Sequence, residues 1–386
     1  MQNFVYHNPT KVLFGRGVLE QIGSETSVYG KNVLLVSGCN HARQSGLLER
    51  IASIMAAHDL NVINFDGVQP NPLLSHVQKG VAIAKDNEID VICAVGGGSV
   101  IDSGKAIACG ALVEHDVWKF FTGKKGIKET LPVIAVSTLA ASGSEMNSGM
   151  VLTRERSQQK FGFAHRMLFP KTSFMDPELT FSVSARHTAY GAVDALAHLA
   201  EFYLTSSGGT PVQDKYMEGL AATILVCGPR AIAKPDDYET RAALMWAAAL
   251  SLNGLSAAGL GKVGFPMHLI EHSLSALYNV PHGAGLSVVM PGWLKYNQGS
   301  GNERISRFLS ALFNEPGNPD LLFEKAGIGN LINWLRQINT PTTLGELGIS
   351  ESDIPEIAEN CLSLAKVWRM REYDQVRVEE ILRLCV

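Results

Sequence analysis

The sequence is poor in charge: 18% of its 386 residues are Asp, Glu, Lys or Arg, against roughly 25% in ordinary soluble domains. Much of the chain must therefore be buried or lie against another subunit. Hydrophobic residues at 46% also exclude intrinsic disorder. Neither sign dominates, since 33 basic against 37 acidic residues leave −4, and no long basic stripe offers the phosphate contacts of nucleic-acid binding. Nucleic acid is thereby excluded as a partner. The six cysteines, Cys39, Cys93, Cys109, Cys227, Cys361 and Cys385, form no C-x-x-C pair, and the opening MQNFVYHNPT has no charged-then-apolar signal segment. They read as reduced thiols of a cytoplasmic protein. Internal repeats, low-complexity tracts and long linkers are missing too.

One uncharged stretch, 242–261, is about as long as a bilayer span. Ser251, Asn253, Gly254, Ser256 and Gly259 interrupt it, so it is expected to be a buried core helix and not a membrane segment.

The length suggests two domains, and the patterning divides accordingly. In the first half, strand-like runs at 32–37, 61–65, 90–95 and 132–136 alternate with helix-period segments at 47–57, 74–86 and 100–112, as βαβ units of a parallel sheet require. Beyond about residue 182, strand-like runs nearly vanish and Ala/Leu-rich helical segments follow one another, with breaks at 205–211, 229–235 and 261–266. The expected organisation is an α/β Rossmann-like domain over residues 1–183 and an all-helical domain over 184–386.

Within the first half, IDVICAV-GGGS-VIDSGKAIAC passes from an apolar strand through Gly96, Gly97 and Gly98 to Ser99 and into a helix carrying Asp102. Unpaired N–H groups at such a helix start favour a phosphate, and glycines let a pyrophosphate approach the main chain. The G-x-G-x-x-G fingerprint is incomplete, with Ile101 at its third glycine, and no Walker sequence is present. A bare tight turn accounts for three glycines almost as well. A second loop, STLAASGSEMNSG, follows another strand and supplies hydroxyls at Ser137, Thr138, Ser142 and Ser144. Two such loops at adjacent strand ends form the crevice where open α/β sheets bind ligands.

In the second half, Asp194 and His198 stand four apart in GAVDALAHLAE, as do His268 and His272 in FPMHLIEHSL, and His282 follows a proline. A spacing of four puts both side chains on one helix face. Each histidine alone is more readily a core residue, but one carboxylate and several imidazoles in an apolar domain must be paired or hold a metal. Imidazole suits iron, zinc, copper or nickel. The absence of cysteine excludes a finger-type zinc site. An ion with an open coordination position would act as a Lewis acid on a carbonyl or alcohol oxygen.

Those motifs also carry a resemblance. With NPTKVLFGRGVLEQIG, FDGVQPNP, AVGGGSVIDSGKAIA, STLAASGSEMNSG, GAVDALAHLAE and H-x3-H-x9-H ending in PHG, the chain resembles the iron-containing (group III) alcohol dehydrogenases, particularly the butanol dehydrogenase-like branch of bacterial aldehyde reductases. The resemblance implies the dehydroquinate synthase-like two-domain architecture, with nicotinamide between the domains. It implies Asp194, His198, His268 and His282 as metal ligands, iron(II) being favoured and zinc an alternative. His272 then falls beside the ion, as the catalytic residue that relays a proton. Gly97, Gly98, Ser99 and Asp102 match the pyrophosphate segment, Thr138, Leu139, Ser142 and Ser144 the second nucleotide loop, and Lys160 a lysine close to the cofactor. Many relatives have small residues around the second metal histidine, where this chain has Leu269, Ile270, Glu271 and Ser273.

At the end of the first predicted strand, Val36-Ser37-Gly38-Cys39 brings Ser37 and Gly38 to the cofactor without the acidic residue that holds ribose hydroxyls in NAD-preferring members. A 2′-phosphate is then not repelled, so NADP(H) is favoured over NAD(H). The expected activity is reversible hydride transfer between this cofactor and a small primary alcohol or aldehyde of butanol type, by a homodimer. Two rivals are a dehydroquinate synthase-like lyase using NAD transiently, for which Arg241 and Lys262 make a poor phosphate clamp, and a catalytically silent nucleotide- or metal-binding protein.

Overall fold

The computed structural model describes residues 1–39, 45–298, 303–313 and 321–386. They fall into two compact units, one of Asn8–Ser182 and one of Met1–His7 with Val183–Val386.

The first unit contains β1 (Lys11–Phe14), α1 (Ile22–Ser27), β2 (Asn32–Gly38), α2 (Leu47–Ala56), β3 (Asn61–Val68), α3 (Leu74–Asp86), β4 (Val91–Gly96), α4 (Gly98–Gly110), α5 (Trp118–Phe121), β5 (Val133–Ser137), β6 (Gly149–Arg154), β7 (Gln159–Ala164) and β8 (Thr172–Met175). Six strands form one sheet in the order β1-β8-β5-β4-β2-β3, every pairing parallel. The middle strands LLV, VICAVG and VIAVS are buried throughout, as expected of parallel strands covered on both faces. Four of the six were visible as apolar runs. The short β1 and β8, KVLF and TSFM, lack such a run and become strands by pairing with each other and with β5. β6 and β7 form a separate antiparallel hairpin.

Strand β2 pairs with β3 on one side and β4 on the other, so the winding direction reverses between β2 and β4. Open sheets of this kind bind ligands at such a reversal, off the carboxyl ends of the strands.

The second unit is helical among its described residues: α6 (Ala185–Thr205), α7 (Pro211–Ala233), α8 (Tyr238–Ser251), α9 (Pro266–Tyr278), α10 (His282–Tyr296), α11 (Glu303–Phe313), α12 (Leu321–Gln337), α13 (Ile354–Val367) and α14 (Gln375–Arg383). Three differences from the sequence reading have local causes. The first seven residues pack with this unit and not with the α/β half, the Met1 ammonium donating to the Gly209 carbonyl at 3.0 Å and the Gln2 N–H to Gly259 at 2.9 Å. Helix α7 runs through Pro229 to Ala233, because a proline near the last turn removes only one helical hydrogen bond. The stretch 242–261 is only half helix: α8 stops at Ser251, and Gly254, Gly259 and Gly261 adopt positive φ of 93°, 76° and 79°, which favours glycine. No helix is long and apolar enough to cross a membrane among the described residues.

Candidate metal centre and nucleotide segment

Three helices of the second unit build one cluster. Asp194 and His198 project from α6, His268 and His272 from α9, and His282 is the first residue of α10. Helix α9 starts with Pro266, which fits a first turn because that position needs no N–H. It ends at Asn279 in the left-handed region, φ 52°, whose N–H returns to Ser275. Pro281 then caps α10, so His282 is turned back towards α6 across two intervening residues. Close approach is made possible by Gly283, where a Cβ would lie 2.2 Å from the Tyr190 carbonyl oxygen of α6.

The Asp194 Oδ1 atom is the hub. It lies 3.7 Å from His198 Nε2, 3.6 Å from His268 Nε2 and 3.6 Å from His282 Nε2. The donor atoms of Asp194, His268 and His282 all fall within 4.8 Å of one another. His198 joins through the carboxylate and stacks on His268 with ring centroids 4.6 Å apart. These separations are too long for hydrogen bonds. They are right for ligands sharing an ion, because donors about 2.0–2.2 Å from a tetrahedral metal stand about 3.4 Å apart. Among the described residues, Asp194 Oδ1 and His268 Nε2 are both buried without a hydrogen-bond partner, a condition that native interiors rarely tolerate unless something else satisfies the atoms. The donor set therefore fits a divalent transition metal, as one carboxylate and three imidazoles should.

Electrostatics agree with a cation-binding hub. Burial would raise the Asp194 carboxyl, but His198, His268 and His282 outweigh it and hold the group ionised, well below the usual carboxylate range. Burial pushes the His198 imidazole down to about 4 despite Asp194, keeping it neutral. For His268, burial acts downward, yet Glu201 and Asp194 raise it to about 10.

His272 is not on the hub. It is buried, and its ring nitrogen falls within 4.8 Å of donors from Glu271 and His282, with Trp368 5.4 Å away edge-on. Phe265 sets its ring against His198 and His268 at 6.5 and 5.7 Å, giving the cluster an apolar wall. Neither aromatic residue carries a spacing signal in the sequence. The same is true of Glu271, whose carboxylate meets His282 Nδ1, while that of Glu201 meets His268 Nδ1. Glu201 was legible only as a second acid seven residues after Asp194 on an apolar helix, hence on the same face.

In the first unit, the residues expected to meet the nucleotide gather at the carboxyl ends of β2, β4 and β5. Ser37 pairs with Val95 and Gly96 with Ser137, which levels the three strand ends. Gly97 caps α4, and no side chain caps the first turn that contains Gly98 and Ser99, leaving it suited to an anion. The second loop lies directly against this turn. A Cβ on Gly98 would fall 2.2 Å from Ser142 Oγ, and one on Gly97 3.1 Å from Leu139. Thr138 N–H donates to the Gly96 carbonyl at 3.1 Å.

Asp102 and Ser144 also make bonds within the protein. Asp102 accepts from the Ser144 hydroxyl at 2.5 Å and from the Val151 N–H at 2.8 Å. Lys105, fully buried one turn further on, donates to Ser144 Oγ, the Asn147 carbonyl and the Gly149 carbonyl at 2.9, 2.9 and 2.8 Å. Its pKa is pushed down to about 8 by burial, against the pull of Asp102 and Glu145. The three residues fasten the second loop to α4. Lys160, on β7, is buried and donates to Asn71 Oδ1 at 2.9 Å, just beyond the end of β3.

A parallel α/β unit with a helical unit around a buried carboxylate–imidazole cluster is the plan of a metal-dependent dehydrogenase. The chain belongs to the iron-containing alcohol dehydrogenase family: the family model of that description matches residues 9–177, and that of the family's C-terminal region matches 188–385. It is similar to the probable NADH-dependent butanol dehydrogenase 1 of Bacillus subtilis, 37% identical with 99% of each chain covered. It is also similar to the NADPH-dependent aldehyde reductase YqhD of Escherichia coli, 31% identical with 92% of each covered. Among solved structures, NADH-dependent butanol dehydrogenase A of Thermotoga maritima superposes with a TM-score of 0.96 at 39% identity, covering 100% of this chain and 99% of that one.

Proposed function

We propose that this chain catalyses reversible hydride transfer between a nicotinamide cofactor and a small primary alcohol or aldehyde of butanol type, with Asp194, His198, His268 and His282 holding one divalent ion. The convergence of three Nε2 atoms on one unpartnered carboxylate oxygen, at 3.6–3.7 Å, carries the reading. When bound, the ion supplies Lewis-acid stabilisation of negative charge on the reacting oxygen. Iron(II) is the favoured occupant on the family's description, and zinc competes because it binds the same donors more tightly. His272, buried beside His282 yet off the hub, is assigned the proton. Gly97, Gly98 and Ser99 at the start of α4, with Thr138, Leu139 and Ser142 facing them, are assigned the pyrophosphate, flanked by Ser37, Gly38 and Lys160. Asp102 and Ser144 are assigned to the same site and also tether the loop.

For the cofactor, the stretch Val36–Cys39 carries no carboxylate, which supports NADP(H) over NAD(H). The named relatives divide, the butanol dehydrogenases being NADH-dependent and the aldehyde reductase NADPH-dependent. A panel of short aldehydes with each nucleotide, in metal-free protein and after adding iron(II) or zinc(II), tests the whole reading. Expected are nucleotide oxidation that requires metal and a higher kcat/KM for NADPH. Full activity in metal-free protein would reject the ion, and a ratio favouring NADH would reject the cofactor preference.

The lyase rival would turn over without net nucleotide consumption. Its phosphate clamp finds no support, since Arg241 is committed to Thr188 Oγ1 and the Pro235 carbonyl, both at 2.9 Å. A homodimer is supported by the low charge fraction and by β1, which stands at one edge of the sheet. Light scattering should give twice the 41.7 kDa chain mass, and a single species near that mass would contradict it. Six free cysteines support a reducing, cytoplasmic setting.

A further inference from the structure

The ligand set uses the Nε2 faces of its imidazoles and leaves unexplained why two carboxylates are buried behind them. Glu201 and Glu271 are both fully buried. Carboxyl groups at such depth are costly unless hydrogen bonds or charges compensate them. Glu201 Oε2 meets His268 Nδ1, while its Oε1 accepts the backbone N–H groups of Met267 and His268 at 2.5 and 3.1 Å. It thus grips both the first turn of α9 and the ring that this turn presents. Glu271 Oε2 meets His282 Nδ1, and its Oε1 accepts the Ser275 hydroxyl. Room for Glu271 is kept by Gly285, where a Cβ would lie 2.7 Å from its Cγ and 2.9 Å from its Oε1.

We infer that Glu201 and Glu271 are positioning residues which fix the tautomer and ring direction of His268 and His282, aim both Nε2 lone pairs at the Asp194 hub, and raise the affinity of the cluster for a divalent ion. A carboxylate on the far nitrogen keeps the proton on Nδ1 and makes Nε2 a better donor. The cation also gains the charge of two further carboxylates in surroundings where charges are poorly screened. The third imidazole is built differently, since His198 Nδ1 is buried with no hydrogen-bond partner among the described residues. Its orientation rests on α6 and on stacking with His268. Glutamine at 201 or 271 keeps size and a hydrogen-bond acceptor but loses charge, so it separates positioning of the ion from packing.

This inference rests on the metal reading proposed above, and the test keeps the two apart. Full-length protein freed of metal by chelation is titrated with zinc(II) under chelator competition and, in parallel, with cobalt(II), following its absorption bands. Glu201→Gln and Glu271→Gln are each expected to weaken zinc binding roughly 10- to 100-fold, to alter the cobalt spectrum, and to leave nicotinamide nucleotide binding by the metal-free protein unchanged. Gly285→Ala, which replaces neither a ligand nor a carboxylate but crowds Glu271, is expected to weaken zinc binding in the same direction by displacing that side chain. Because Glu271 and Gly285 act on His282 and Glu201 on His268, a variant that fails to fold leaves the other arm decisive. Zinc affinity within twofold of wild type in the folded glutamine variants would overturn the inference. A wild-type chain that binds no zinc, or an Asp194→Ala chain that binds it normally, would overturn the metal reading instead.

Discussion

Asp194→Ala is expected to abolish metal binding and to lower kcat/KM for aldehyde reduction by about a thousandfold or more, with the circular dichroism of the wild type retained. The expectation follows from the hub geometry. All three Nε2 atoms reach their common point only through Asp194 Oδ1, at 3.6–3.7 Å, so removing this carboxylate leaves imidazoles with no shared negative centre. Lewis-acid stabilisation is worth several kcal/mol of barrier, and each 1.36 kcal/mol is tenfold in rate, which gives roughly 10²–10⁴. The fold should survive because α6 is buried along nearly its whole length by Ala, Leu and Val as well as by the cluster. His268→Ala should behave alike. Unchanged turnover or metal content in either variant would remove that residue from the ligand set.

The second large effect is expected at a residue with no side chain. Gly283→Ala places a methyl group 2.2 Å from the Tyr190 carbonyl oxygen, 2.6 Å from its carbon and 2.7 Å from its Cα. All three neighbours are backbone of α6, so no rotamer change relieves the clash, and the two helices must separate. Overpacking of this kind costs about 1–3 kcal/mol and more where nothing can yield. The upper end of that range is expected here, read as a lowered melting temperature. Because His282 is the adjacent residue, metal affinity should fall with stability. Gly219→Ala is the control: exposed on α7, with nothing within 4 Å of the added Cβ, it should be neutral or stabilising by up to about 1 kcal/mol through helix propensity. Equal melting temperatures for the two variants would show that the helices do not depend on this contact.

The parts of this site legible in the sequence were those with a helical period. Asp194–His198 and His268–His272 announce shared faces by their spacing of four, but spacing alone does not say which of His268, His272 and His282 meet Asp194. That depends on the reversal at Asn279–Pro281, a tertiary matter settled by a left-handed cap and by a glycine that lets α10 touch α6. Glu271 looked like a departure from the family pattern and instead faces His282. Asp102 and Ser144, expected as cofactor contacts, also bond each other, and Lys105 behind them has no signal in the sequence because a lone lysine on a helix is normally a solvated charge. In the fold, β2, β4 and β5 were legible because strands buried on both faces are continuous apolar runs, whereas β1 and β8 are four residues long and owe their state to their neighbours. The placement of residues 1–7 on the helical unit depends on backbone hydrogen bonds to Gly209 and Gly259, which no local pattern encodes.

The most direct measurement is anomalous diffraction from crystals of the active protein, collected at the iron and zinc absorption edges. One peak per chain is expected, bounded by Asp194 Oδ1 and the Nε2 atoms of His198, His268 and His282. A fully active crystal with no peak there, or with its only metal bound by other residues, would contradict the assignment of these four side chains as the metal centre.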